Sequence, residues 1–274
     1  MTAQTTPERA PIVTAHQLKK HFHVRRGFFR RLTLHAVDGV SFAVAPGEVL
    51  GIVGESGCGK STIARMLVGL MEPDDGSMRL GNVDISAGNR RGVDEARKLI
   101  QMVFQDSFAS LNPRLALRET IAFTAIARGM PRHGAAEKGN RLLAAVGLDP
   151  LTFGHRYPHE VSGGQRQRVN IARALAGDPR ILVLDEAVSA LDKSIEAQVL
   201  NLLQDLKEEM DLTYIFISHD LHVVRYMSDR VAVMYLGKIV EYGMAADIMS
   251  APLHPYTQAL VRATPTGDPA RRVL

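Results

Sequence analysis

Among 274 residues there is one cysteine, Cys58, and no tryptophan, and aromatic side chains amount to 5%. A lone thiol closes no internal disulfide and builds no cysteine metal site, so a reducing compartment suits the chain. Apolar runs stay well short of the roughly 18 residues that a membrane-crossing helix needs. That argues against a spanning protein but not against one that rests on a membrane. Met1 to Ala10 is polar and lacks the apolar stretch of a secretory signal. Neither charge dominates: 33 basic against 29 acidic residues leave a formal +4, which makes no argument for a nucleic-acid partner. Internal repeats and low-complexity stretches are absent as well. With 46% hydrophobic residues, a chain of this length can bury a sizeable core as one large domain, with room for a small appendage.

Apolar patterning supplies the first positive signal. Residues 1–11 show none and are expected to form a loose tail. The basic, aromatic-dotted stretch 19–31 reads as an inserted loop, either solvated or close to anionic lipid headgroups. Residues 37–44 and 48–53 predict strands around the Pro46-Gly47 turn, and Ile63, Met66, Leu67 and Leu70 fall at helical spacing. The all-apolar run 181–184 and the segment 212–218 predict strands buried on both faces. Between them Ile195, Val199, Leu202, Leu203 and Leu206 make one face of a helix. Strands alternating with helices predict an α/β core with a largely parallel sheet. From about 107 to 160, Pro113, Pro131, Pro150 and Pro158 punctuate the helical segments 118–127 and 137–146, which predicts a helical insertion. Past Val231, short strands, a helix and a proline-rich end are expected.

Three segments carry chemistry. Gly54-Glu55-Ser56-Gly57-Cys58-Gly59-Lys60-Ser61 matches G-x-x-x-x-G-K-[ST] between a predicted strand and a predicted helix. Such glycines let backbone N–H groups turn around phosphate oxygens, with the positive end of the helix behind them. Lys60 would reach the β- and γ-phosphates, the Ser61 hydroxyl would ligate Mg²⁺, and Thr62 continues the cradle. Asp185-Glu186 ends an apolar strand, where ligands of open α/β sheets bind. Asp185 would hold Mg²⁺ through a water and Glu186 would polarise an attacking water; taken alone, the pair reads equally as a solvated helix start. Finally, Ser162 can N-cap a helix whose start exposes the N–H groups of Gly163 and Gly164, a second anion site. One nucleotide needs one cradle, so the second suggests a phosphate shared across a subunit interface.

Gly54 to Ser61 as Walker A, Ser162-Gly163-Gly164-Gln165 as signature and Ile181 to Glu186 as Walker B together resemble the ATPase subunits of ABC transporters. Gln105 in Val103-Phe104-Gln105-Asp106 resembles the Q-loop, Ser189-Ala190-Leu191-Asp192 the D-loop, and His219 the switch histidine. The motifs stand in family order over about residues 12 to 245. The resemblance implies a P-loop core with a mainly parallel sheet, an N-terminal antiparallel β subdomain and an α-helical subdomain inserted at about 107–165. It also implies ATP with Mg²⁺ held by Ser61, Gln105 and Asp185, and catalysis by Glu186, His219, Gln105 and Lys60. Adenine would stack on an aromatic upstream of Walker A, and Phe22, Phe28 and Phe29 all qualify. Two departures from the pattern stand out: Val161 replaces the usual leucine, and Ala187-Val188 replaces the common Pro-Thr.

The segment Pro252-Leu253-His254-Pro255-Tyr256-Thr257-Gln258-Ala259-Leu260, with Phe108 to Arg114 and Arg156 to Glu160, resembles the oligopeptide and dipeptide importers and their nickel and glutathione relatives. That implies an ATPase domain over 12–250 and an importer-type extension over 251–274. Expected partners are a second ATPase subunit, identical or a paralogue, and two transmembrane permease subunits, with a solute-binding protein involved indirectly and no nucleic acid. The expected location is the cytoplasmic face of the inner membrane. The rival readings are a soluble ABC ATPase not coupled to transport and a module that senses ATP without turnover. Cys58, near a helix start, is expected either to have a lowered thiol pKa or to act as a small filler.

Overall fold

The computed structural model describes residues 10–26 and 30–263, and of residues 24–26, 30 and 31 the backbone alone. Phe28 and Phe29, most of the expected N-terminal tail and the end of the expected extension lie outside the described residues. The chain opens with β1 (Val13–Arg26), β2 (Arg30–Val44) and β3 (Val49–Val53), then α1 (Lys60–Leu67), β4 (Asp75–Leu80), β5 (Val83–Asp84) and α2 (Arg90–Ala96). After β6 (Ile100–Val103) come α3 (Leu117–Ala127), α4 (Arg132–Ala145), α5 (Pro150–Phe153) and α6 (Gly163–Leu175). Then follow β7 (Ile181–Asp185), α7 (Lys193–Glu209), β8 (Thr213–Ser218), α8 (Leu221–Met227), β9 (Arg230–Tyr235), β10 (Lys238–Met244), α9 (Ala245–Ser250) and α10 (Pro255–Ala263).

Two sheets result. One is antiparallel, in the order β2-β1-β4-β5; the other runs β10-β9-β3-β8-β7-β6 and is parallel except for β10. Every residue of β3, β7 and β8 is buried, because cores cover both faces of the central sheet. Their alternate residues divide between those cores. Val49, Leu182, Leu184, Tyr214 and Phe216 face the helical side with α3, α4, α6, α7 and α8. Leu50, Ile52, Ile181, Val183, Ile215 and Ile217 pack with α1 and the antiparallel sheet. Each such buried side chain contributes roughly 1.5–3 kcal/mol against exposure.

Two sequence expectations need correction. The basic stretch 19–31 is not an inserted loop. Its described residues form the outer part of a hairpin whose pairs run from Val13 opposite Val44 to Arg26 opposite Arg30. The hairpin's register shifts, between Ala15 and Leu18, Leu18 and Lys19, and Lys20 and His21, break the alternation that would have marked a strand. Lys19 and Lys20 pair with Asp75 and Asp74. Leu70, in turn, leaves the apolar face of α1. That helix stops at Leu67 in a Schellman closure, with the Leu70 N–H on Arg65 O at 2.9 Å and the Gly69 N–H on Met66 O at 3.0 Å. Gly69 takes the positive φ, +67°, that this closure requires.

The parallel order brings distant segments together. The carboxyl ends of neighbouring strands lie side by side, with Val53 opposite Ser218, Ile217 opposite Asp185, and Leu184 opposite Val103. The loops carrying Gly54, His219, Glu186 and Gln105 therefore all leave one edge of one sheet.

Candidate nucleotide site

The loop after β3 admits no side chain at two of its glycines. A Cβ on Gly54 would lie 2.2 Å from the Met234 carbonyl oxygen, and one on Gly59, at φ +110°, would lie 2.1 Å from the Ala36 carbonyl oxygen. Thus pressed between β9 and β2, the loop and the first turn of α1 line a cavity of about 280 Å³. Ser56, Gly57, Gly59, Lys60, Ser61 and Thr62 form one wall, Phe22, Leu34 and Ala36 a second, and Gln105 and Glu186 a third. Phe22 and Leu34 are paired across the hairpin, so the register sets both in the wall. Leu34 and Ala36 escaped the sequence reading, since short apolar residues on a strand carry no motif.

Lys60 is buried, and its ammonium donates to Gly54 O at 2.7 Å and Glu55 O at 2.9 Å. The Ser61 hydroxyl donates to Asp185 Oδ1 at 3.0 Å. Burial pushes the Asp185 carboxyl up from the ordinary aspartate range and the neighbouring Glu186 adds to the rise, while the Ser61 bond and the Arg65 and Lys60 charges pull against it. Glu186 Oε2 accepts from Gln105 Nε2 at 2.8 Å and stands 3.5 Å from His219 Nδ1. Its backbone is left-handed, φ +48°, and its N–H is tied to Ile217 O at 2.9 Å. Such a conformation in a non-glycine residue costs on the order of 1–3 kcal/mol and aims the side chain where an unstrained strand end would not.

The hard oxygen donors of Ser61, Asp185 and Gln105 match what Mg²⁺ selects, and a buried carboxylate short of positive charge fits a cation beside it. Cys58 does not have a lowered pKa: burial pushes its thiol up, against the pull of Lys60. It packs in the second core as a small apolar group, so the filler alternative holds.

Not every candidate reaches the cavity. Ser162 caps α6 reciprocally with Gln165: the Ser162 N–H donates to Gln165 Oε1 at 3.0 Å and the Gln165 N–H to Ser162 Oγ at 3.3 Å. Neither they nor Gly163 and Gly164 are among the residues lining the cavity. Asp192 caps α7, accepting the Ile195 N–H at 2.9 Å, and it too stands outside the cavity wall.

The ABC transporter family matches residues 37–189, and the oligopeptide/dipeptide transporter C-terminal region matches residues 240–274. The chain belongs to the ABC transporter family. Among relatives of this ABC ATPase, the oligopeptide transport ATP-binding protein AppF of Bacillus subtilis (strain 168) is 51% identical over 265 residues, which cover 95% of this chain and 80% of that protein. The oligopeptide transport ATP-binding protein OppF of Salmonella typhimurium is 47% identical over 268 residues, 96% of this chain and 80% of that one. Among solved structures, the ATP-binding cassette MJ0796, dimeric and bound to ADP and Pi after hydrolysis, superposes with a TM-score of 0.75 at 27% identity, over 85% of this chain and 98% of that one. The departures from the family pattern are conservative in place. Ala187, Val188 and Val161 are all buried in the first core, and none of them lines the cavity. No helix among the described residues is long and apolar enough to cross a membrane.

Proposed function

We propose that this ABC ATPase hydrolyses ATP to drive import of a di- or oligopeptide, or a related small solute, through two transmembrane permease subunits. The proposed location is the cytoplasmic face of the inner membrane. The observation that carries the reading is the meeting of Lys60, Ser61, Asp185, Gln105, Glu186 and His219 at one sheet edge, while the capped start of α6 stands outside the cavity. Ser162 to Gln165 of a second ATPase subunit, identical or related, would then supply the missing wall, so that each nucleotide lies between two subunits.

In this reading Phe22 carries the adenine, and Lys60 exchanges its two loop carbonyls for β- and γ-phosphate oxygens. Mg²⁺ held by Ser61, Gln105 and Asp185 would neutralise phosphate charge. Glu186 takes a proton from water as the water oxygen attacks the γ-phosphorus, the bond to the ADP oxygen breaks, and inorganic phosphate leaves. His219 and Gln105, both beside Glu186 Oε2, hold that carboxylate toward the water.

The Gln105 loop also offers the link to the membrane. Phe104 and Phe123, both exposed, line a larger cavity of about 980 Å³ with Gln101, Arg128 and Arg173. A permease segment seated there would press on the residue next to Gln105. The deciding experiment is Glu186→Gln. It should bind MgATP, accumulate as an ATP-bound dimer by size exclusion and lose turnover on the order of 100-fold or more. Phosphate release at the wild-type rate would remove Glu186 from the mechanism.

A further inference from the structure

A hydrogen bond ties α10 to the phosphate loop. The backbone N–H of Glu55 donates to the Tyr256 hydroxyl at 3.1 Å, across 201 residues of sequence. Tyr256 belongs to His254-Pro255-Tyr256, and the structure shows why those residues sit there. The Gln258 N–H bonds His254 O at 3.0 Å, which makes His254 the cap of α10. Pro255 takes the first helical position, where a missing N–H costs nothing. The Tyr256 N–H is satisfied by His254 Nδ1 at 3.2 Å. One residue earlier, the two oxygens of Glu241 on β10 accept the N–H groups of Leu253 at 2.8 Å and His254 at 3.0 Å. The Tyr256 ring packs on Tyr235 at the end of β9, with centroids 4.3 Å apart. The hydroxyl is thus delivered by a fixed element.

At the other end of the contact, the same residue that donates to Tyr256 accepts from Lys60. Glu55 O receives the Lys60 ammonium at 2.9 Å and the Cys58 N–H at 3.3 Å. Tyr256 therefore grips the outer bend of a loop with three glycines, Gly54, Gly57 and Gly59, and glycine-rich backbone loses the most freedom on ordering.

We propose that Tyr256 is a positioning residue of the nucleotide site, and that α10 straps the phosphate loop into the shape that receives a triphosphate. The inference rests on the reading of this loop as the ATP site. Tyr256 does not line the cavity and acts through Glu55 alone. Without the strap, a smaller fraction of the empty loop has the binding shape, and apparent affinity falls by that fraction. Because the donor is a backbone N–H, the device works whatever side chain stands at position 55. It also gives the C-terminal region a route to the nucleotide: any partner that moves α10 alters ATP affinity without touching ATP.

Tyr256→Phe keeps the ring on Tyr235 and removes only the hydroxyl. In the full chain carrying Glu186→Gln, calorimetric titration with MgATP should show a dissociation constant raised about three- to tenfold by the added Tyr256→Phe, the worth of one net hydrogen bond. The melting temperature without nucleotide should fall by no more than about 4 °C, the same one bond read as stability. In the otherwise native chain, the same substitution should raise KM for ATP and leave kcat within about twofold. Tyr256→Ala, which also empties the contact with Tyr235, should lower both affinity and melting temperature. Unchanged MgATP affinity in Tyr256→Phe, with the parent chain binding normally, overturns the inference and leaves the ATPase reading intact. So does a loss of affinity that only tracks a loss of stability across both variants. A parent chain that binds no MgATP overturns the ATP-site reading itself, and this inference with it.

Discussion

Asp185 is 6% exposed at the end of a strand buried along its whole length, with the carboxylate of Glu186 beside it. Burial raises its pKa before any neighbour is counted, so in the empty protein the ionised form opposes folding. A group whose folded pKa is raised contributes stability that is complete below its unfolded pKa and fades as pH rises through the folded value. The charge at Asp185 is therefore a penalty from just above the ordinary aspartate range upward. In the proposed function that penalty would be offset by the Mg²⁺ that Asp185 helps to hold. Asp185→Asn should accordingly raise the melting temperature of the nucleotide-free chain by about 2 °C or more, while Mg²⁺-dependent ATP turnover falls on the order of 100-fold. Calorimetry and phosphate release on one preparation check both, and a variant that melts lower would show that the charge is already compensated. Glu186 makes the complementary point. Its identity is plain in the sequence, but its left-handed backbone and its bond to Ile217 O follow from the end of β8 lying against it.

At the scale of elements, helix starts and stops place the working groups. Helix α6 begins in a reciprocal Ser162–Gln165 box, and it begins on the surface, where a second subunit can reach it. Ser162 as a cap was legible from its hydroxyl just ahead of the Gly-Gly pair. The return bond from Gln165 is carried by the S-x-x-Q spacing. Ser162→Ala should cost about 1 kcal/mol of stability, seen as a lower urea midpoint at unchanged slope. In a Glu186→Gln background it should also weaken the ATP-dependent dimer by tenfold or more, read by analytical ultracentrifugation. Loss of stability with an unaltered dimer would confine Ser162 to capping. The β1–β2 hairpin shows where pattern reading stops. Its strands are long and joined by backbone pairing and by exposed pairs such as Lys19 with Asp75, and its register shifts break the period of two in the residue types.

Taken as one molecule, the chain keeps its α6 start out of the cavity at its own phosphate loop, and in the proposed function the two meet across subunits. Complementation follows directly. Lys60→Ala and Gly164→Asp subunits should each form inactive homodimers, whereas their mixture contains one site built from an intact loop and an intact α6 start. Mixing should restore a sizeable fraction of wild-type turnover, and a mixture as inactive as its components would argue against a shared site. The sequence by itself determined the parallel core, the loop at Gly54 to Ser61 and the order of the motifs, because buried strands demand unbroken apolar runs and phosphate cradles demand glycine at set spacing. It left open whether Phe22 reaches the phosphate loop, whether the basic stretch is strand or loop, and what His-Pro-Tyr touches. Tertiary structure decided those placements: Phe22 enters the cavity wall through hairpin register, and Tyr256 meets Glu55 because β9 and β10 bring α10 back beside the phosphate loop. Contacts between backbone and distant side chains leave no period and no spacing in the chain, so only the folded arrangement can reveal them.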